Sequence, residues 1–110
     1  MTALSELSLL LLAGCDSLQH LPEGFEDLTG LEWLDLFGCE SLQGLPQDLG
    51  KLRRVMELDL SNCIKFQLLP PSLGKMSQLQ RLELGFCGGL QCLPEELGSL
   101  TDLVELDLLW

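Results

Sequence analysis

The chain has 110 residues, a formal net charge of −11 and 46% hydrophobic residues. That length holds one domain and excludes a multidomain enzyme. Six Lys and Arg against seventeen Asp and Glu exclude a phosphate-neutralising nucleic-acid binder and argue against docking on an anionic membrane. A mean hydropathy of +0.26 excludes an acidic disordered tail. Leucine supplies 32 residues against two Val and one Ile. One residue type filling most apolar positions points to one packing site copied many times.

The copying is regular. Cys15, Cys39, Cys63 and Cys87 stand 24 residues apart, as do Pro22, Pro46, Pro70 and Pro94. Four full units cover 7–30, 31–54, 55–78 and 79–102, with partial units at 1–6 and 103–110, and together they make a single domain over 1–110. The first unit runs Leu7, Leu10, Leu12, Cys15, Leu18, Leu21, Pro22, Phe25 and Leu28, with Glu26 where later units carry glycine. The second runs Leu31, Leu34, Leu36, Cys39, Leu42, Leu45, Pro46, Leu49, Gly50 and Leu52. The third keeps the register with Val55, Phe66 and Met76 as apolar replacements, and the fourth returns to leucine.

Within each unit the elements follow from spacing. Leu34-x-Leu36 has the period of two that buries one strand face, which predicts a strand from about Trp33 to Phe37. Cys39 and Leu42 then turn the chain inward. Pro46 fits the first position of a short helix or 3-10 turn, where its missing N–H is harmless, and Gly50 keeps that helix short. Gln19, Gln43, Gln67 and Gln91 recur at the same interval and are expected to form a structural ladder of side-chain amides. One unit alone buries nothing; stacked units share a continuous core. The predicted fold is therefore an α/β solenoid, with a parallel sheet on its concave face and short helical or 3-10 segments on its convex side.

These motifs identify the chain as resembling the leucine-rich-repeat family, over essentially its whole length. The hallmark stretch L-x-x-L-x-L-x-x-[N/C] is present with Cys in all four ladder positions. The family's fold is a right-handed β-α superhelix, and its function is protein binding without catalysis. The phrase Gly38-Cys39-Glu40-Ser41-Leu42 with Leu45-Pro46, repeated as Gly14-Cys15-Asp16-Ser17-Leu18, is similar to repeats of plant intracellular nucleotide-binding immune receptors that confer disease resistance. That resemblance implies a segment of a cytoplasmic plant-defence receptor recognising proteins on its concave face. The alternative is a stand-alone or engineered repeat fragment whose main behaviour is structural, self-associating as a homo-oligomer through uncapped solenoid ends.

Other chemistry finds little footing. Leu12-Ala13-Gly14-Cys15 looks like a lipidation signal, but it lies in register with three later copies and no Lys or Arg precedes it. The apolar run is far too short to span a bilayer. Ladder cysteines are expected to point inward as structural thiols, and an odd total of five suits a reducing, cytoplasmic compartment. No C-x-x-C pair, no phosphate-cradling glycine loop and no nucleophile-base-acid set is present, so no metal, cofactor or catalytic residue is assigned. His20, the single histidine, is expected to be a solvated turn residue.

Function is instead sought in the strand positions that face away from the core. The column of Trp33 continues as Glu57, Arg81 and Glu105, and Phe37 stands in the next outward column. Between them Asp35, Asp59, Glu83 and Asp107 form a line of four acids. Phe86 falls one column further on, where other units carry Gly14, Gly38 and Asn62, and Trp110 follows it. Two readings stand: a solvated acidic face in which Arg81 relieves its neighbours, or a binding stripe for a basic segment of a protein partner. In the second, Trp33 is the natural anchor.

Overall fold

A computed structural model describes residues 6–108 of the chain; Met1, Leu4 and Trp110 lie outside the described residues. Among these residues, five strands form one parallel sheet in sequence order: β1 (Leu9–Leu11), β2 (Trp33–Asp35), β3 (Glu57–Asp59), β4 (Arg81–Glu83) and β5 (Glu105–Asp107). Each strand pairs with the strand 24 residues later with no slip, so Leu10, Leu34, Leu58, Leu82 and Leu106 lie in one row. Short 3-10 helices at Phe25–Asp27, Leu49–Lys51, Pro71–Lys75 and Glu95–Ser99 supply the other layer. This is the stacked solenoid of strand, turn and short helical segment expected from the spacing, with the parallel sheet that the resemblance implies.

The core fills the space between the layers. Leu34, Leu36, Cys39, Leu42, Leu49 and Leu52 of the second unit are all fully buried, and the matching residues of the third unit repeat the arrangement with Phe66 and Met76. Burying each such side chain contributes roughly 1.5–3 kcal/mol. The ladder thiols do what the spacing implies: Sγ–H of Cys39, Cys63 and Cys87 donates to the carbonyls of Leu12, Leu36 and Leu60 at 3.1, 3.1 and 2.9 Å. Burial pushes the Cys63 thiol up to about 12 and raises Cys39 and Cys87 in the same direction, so all three remain S–H donors. Cys15 is half-buried, whereas Cys92 is exposed.

Three expectations need correction. The strands stop after three residues, β2 at Asp35 rather than Phe37, and there Asp35 Oδ1 accepts the Phe37 N–H at 2.9 Å. Asp59 does the same with the N–H of Ser61 at 2.9 Å. The repeat proline precedes the helix rather than opening it: Pro70 and Pro94 are N-caps with extended backbone, and Leu49 begins its helix three residues after Pro46. What the proline supplies is a carbonyl, which accepts the N–H of the residue three positions on in all four units. The glutamine column is a ladder of main chain, with Gln43 N–H donating to Gln19 O and Gln67 N–H to Gln43 O. Its side chains are exposed.

Candidate binding surface

Strand register builds the surface. Trp33, Glu57, Arg81 and Glu105 are consecutive partners along one row; Asp35, Asp59, Glu83 and Asp107 are consecutive partners along the next. Neighbouring strands lie about 4.8 Å apart, so the rows bring like charges close together. Trp33, Asp35, Glu57, Asp59, Arg81 and Glu83 line a single hollow of about 80 Å³ floored by Leu58. Trp33 also walls a neighbouring hollow of about 170 Å³ with Leu9, Glu32 and Met56. Six of the ten sequence-assigned residues thus converge. Glu105 and Asp107 extend the rows without lining the hollow. Phe37 and Phe86 stand exposed outside it, at 44% and 51%.

The electrostatics are uneven along the acid row. Glu83 is pushed up to about 7, first by its burial, then by a hydrogen bond with Asp59 and by the negative charges of Asp59, Glu105 and Asp107. Arg81 does not neutralise it; its guanidinium Nη1 lies 3.4 Å from Glu57 Oε1, in the adjoining row. Both partners of that pair are substantially exposed, so it adds little to stability. The outward row therefore holds a cation already engaged, while the acid row keeps its excess charge. Among the described residues no group of side chains is arranged to hold a metal ion.

The structure also shows hollows that the spacing did not reveal. One, of about 730 Å³, is lined by His20, Pro22, Glu23, Glu26, Gln43 and Gln67 among others, and another of about 580 Å³ shares Gln43, Gly44 and Gln67 with it. Both are open troughs beside the main-chain ladder, where Gly44 bridges Leu68 in parallel. Size alone does not make them the better site, since they lack the convergence of charge and aromatic surface seen on the sheet. The one available signal was the variable column His20, Gly44, Leu68 and Cys92.

A family model described as a leucine-rich repeat region matches residues 1–110. Among solved structures, a leucine-rich-repeat protein of Leptospira interrogans is 31% identical, with a TM-score of 0.57 over 91% of this chain and 30% of that one. The leucine-rich repeat domain of the type III effector XopL matches at 22% identity, with a TM-score of 0.65 over 81% of this chain and 38% of that one. The plant peptide hormone receptor RGFR1, solved in complex with RGF2, matches at 28% identity, with a TM-score of 0.54 over 94% of this chain and 21% of that one. The chain therefore spans between about a fifth and two fifths of the length of these proteins. No curated protein matches it in sequence.

Proposed function

The chain belongs to the leucine-rich-repeat family, and from that premise we propose that its concave sheet face binds a protein partner through a basic, extended segment. Domains of this family are in general protein-interaction modules. The observation that carries the finer reading is the convergence of Trp33, four carboxylates and Arg81 around one hollow. An exposed indole beside a row of acids offers a partner one apolar anchor and several positions for Lys or Arg. No catalytic role is assigned. The phrase Gly38-Cys39-Glu40-Ser41-Leu42 with Leu45-Pro46 favours origin in a plant intracellular immune receptor and a cytoplasmic setting, both parts of the same proposal.

Asp35 and Asp59 also close turns, so charge reversal there would disturb the fold. The discriminating variant is instead Trp33→Ala with Glu57→Lys and Glu105→Lys, all on exposed or half-exposed outward positions. Binding of a hexa-arginine peptide should fall at least tenfold in this variant and weaken with added salt in the parent. Unchanged binding by a folded triple variant would reject the concave face as the surface.

A further inference from the structure

Gly44 is a glycine that its own geometry does not demand. Left-handed backbone accounts for Gly14 and Gly38, and the close approach of the next turn accounts for Gly50 and Gly74. At Gly44 neither applies: its φ lies outside the left-handed region, and a Cβ there would meet nothing within 4 Å. The next unit carries Leu68 in the same slot, bridged in parallel to Gly44, so the repeat admits a large side chain here. What the glycine leaves is open space. The troughs of about 730 and 580 Å³ both reach it, sharing Gln43, Gly44, Leu45 and Gln67. They join across Gly44 into one groove, and each is of the size that ligand sites occupy, roughly 300–1,000 Å³.

The walls select the occupant. Around the second trough stand Leu45, Leu68 and Pro71 with the amides of Gln43, Gln47 and Gln67, and its lining includes no charged residue. The three glutamines are exposed, and their side chains make no hydrogen bond among the described residues. A side-chain amide presents a donor and an acceptor side by side, as a peptide group does, so each glutamine can pair with a peptide bond through two hydrogen bonds. An ionised group set against these walls would lose hydration without gaining a counter-charge. A nucleotide finds neither a cation nor a stacking ring, because no Lys, Arg, Phe, Tyr or Trp lines either trough. Glu23 and Glu26 line the first trough only, so acidic residues are disfavoured there too.

We propose that this groove is a second binding site, separate from the sheet face, for an extended and uncharged peptide segment of a partner protein. The segment crosses Gly44, its main chain pairs with the amides of Gln43, Gln47 and Gln67, and its apolar side chains rest on Leu45, Leu68 and Pro71. Main-chain pairing supplies the affinity and the apolar walls the selectivity, as in other recognition of extended peptides. The inference does not depend on the acid row or on Trp33.

The test uses the intact chain and an acetylated, amidated heptapeptide, Ala-Leu-Gln-Ala-Leu-Gln-Ala, followed by NMR. The expected result is saturable movement of the side-chain amide signals of Gln43, Gln47 and Gln67 while the Trp33 indole signal stays in place. Affinity should fall about tenfold or more for the same peptide methylated on its backbone nitrogens, and likewise when its leucines are replaced by glutamate. Gly44→Leu should block the crossing and weaken binding by about tenfold or more. The double variant Gln43→Ala with Gln67→Ala, which keeps the main-chain ladder, should do the same and serves if Gly44→Leu does not fold. The proposal is overturned if the neutral peptide gives no saturable shift, or if the Trp33 signal moves in place of the glutamines. Undiminished binding by the backbone-methylated peptide or by the folded variants also overturns it, as does a groove that takes a neutral oligosaccharide and refuses the peptide.

Discussion

Phe86 holds a left-handed backbone, with φ of 59, in the column where Gly14, Gly38 and Asn62 hold 75, 69 and 62. Glycine and asparagine enter that region readily, whereas a bulky side chain incurs about 1–2 kcal/mol there. The Phe86 ring is half in water, so its packing recovers only part of the cost. Phe86→Asn should therefore raise stability by about 1 kcal/mol in urea unfolding, while weakening hexa-arginine capture if the ring borders the partner. The thiols provide a second expectation for single residues. Cys92 is exposed, but Cys39, Cys63 and Cys87 are buried, bonded and raised toward the neutral form. A thiol reagent at neutral pH should modify Cys92 within minutes and the three ladder cysteines only as the chain unfolds. The role of the ladder cysteines was legible in the sequence because their interval matched that of the leucines. The dual role of Asp35 and Asp59 was not: a strand-end acid that closes a turn and one that greets a partner occupy the same position in the pattern.

Two of the 3-10 turns, those of Gly50 and Gly74, depend on their glycine for a reason the repeat alone does not reveal. A Cβ on Gly50 would lie 2.2 Å from the carbonyl oxygen of Ser72, and one on Gly74 would lie 2.5 Å from that of Glu96. Gly98 meets nothing within 4 Å among the described residues. Gly50→Ala and Gly74→Ala should each cost about 1–3 kcal/mol by overpacking, and Gly98→Ala should leave the unfolding midpoint nearly unchanged. Equal losses at all three would show that conformational freedom, and not the close approach of the next turn, is what the glycine provides. The first unit shows the other solution: Glu26 occupies this slot, and its turn is entered from Gly24 in a left-handed conformation, with φ of 82. At this scale the sequence told the existence and order of the elements, since period and interval encode them directly. Boundaries escaped it, because Asp35 bonds the Phe37 N–H just past the strand end and Pro46 acts through its carbonyl three residues ahead.

Across the whole molecule, stability should follow pH in an uncommon direction. Glu83 binds its proton more tightly in the folded chain, near 7, than at its ordinary value of 4.5. The folded state thus carries more protons between those two values, and stability declines as pH rises through that interval. Its contribution is fully present below 4.5 and is lost above about 7. A series of thermal unfolding midpoints should fall over this window, and Glu83→Gln should remove most of the slope; a midpoint that climbs steadily with pH would contradict the arrangement. The stacked fold was evident in the sequence because each unit packs mainly against the next, so one repeat specifies the rest. The troughs beside the glutamine ladder were hidden, since they form between segments of successive units, an arrangement that no residue type encodes. The glycine slot also sets a geometry. Hydrogen bonds hold the sheet side to a fixed step of about 4.8 Å per unit, while the opposite side advances by whatever its narrowest contact allows. Where a glycine lets two main chains approach, as at Gly50 and Gly74, the outer arc is kept short; a side chain in that slot would lengthen the arc and curl the sheet. A single column of residues on the far side of the molecule therefore tunes the radius of the surface offered to a partner.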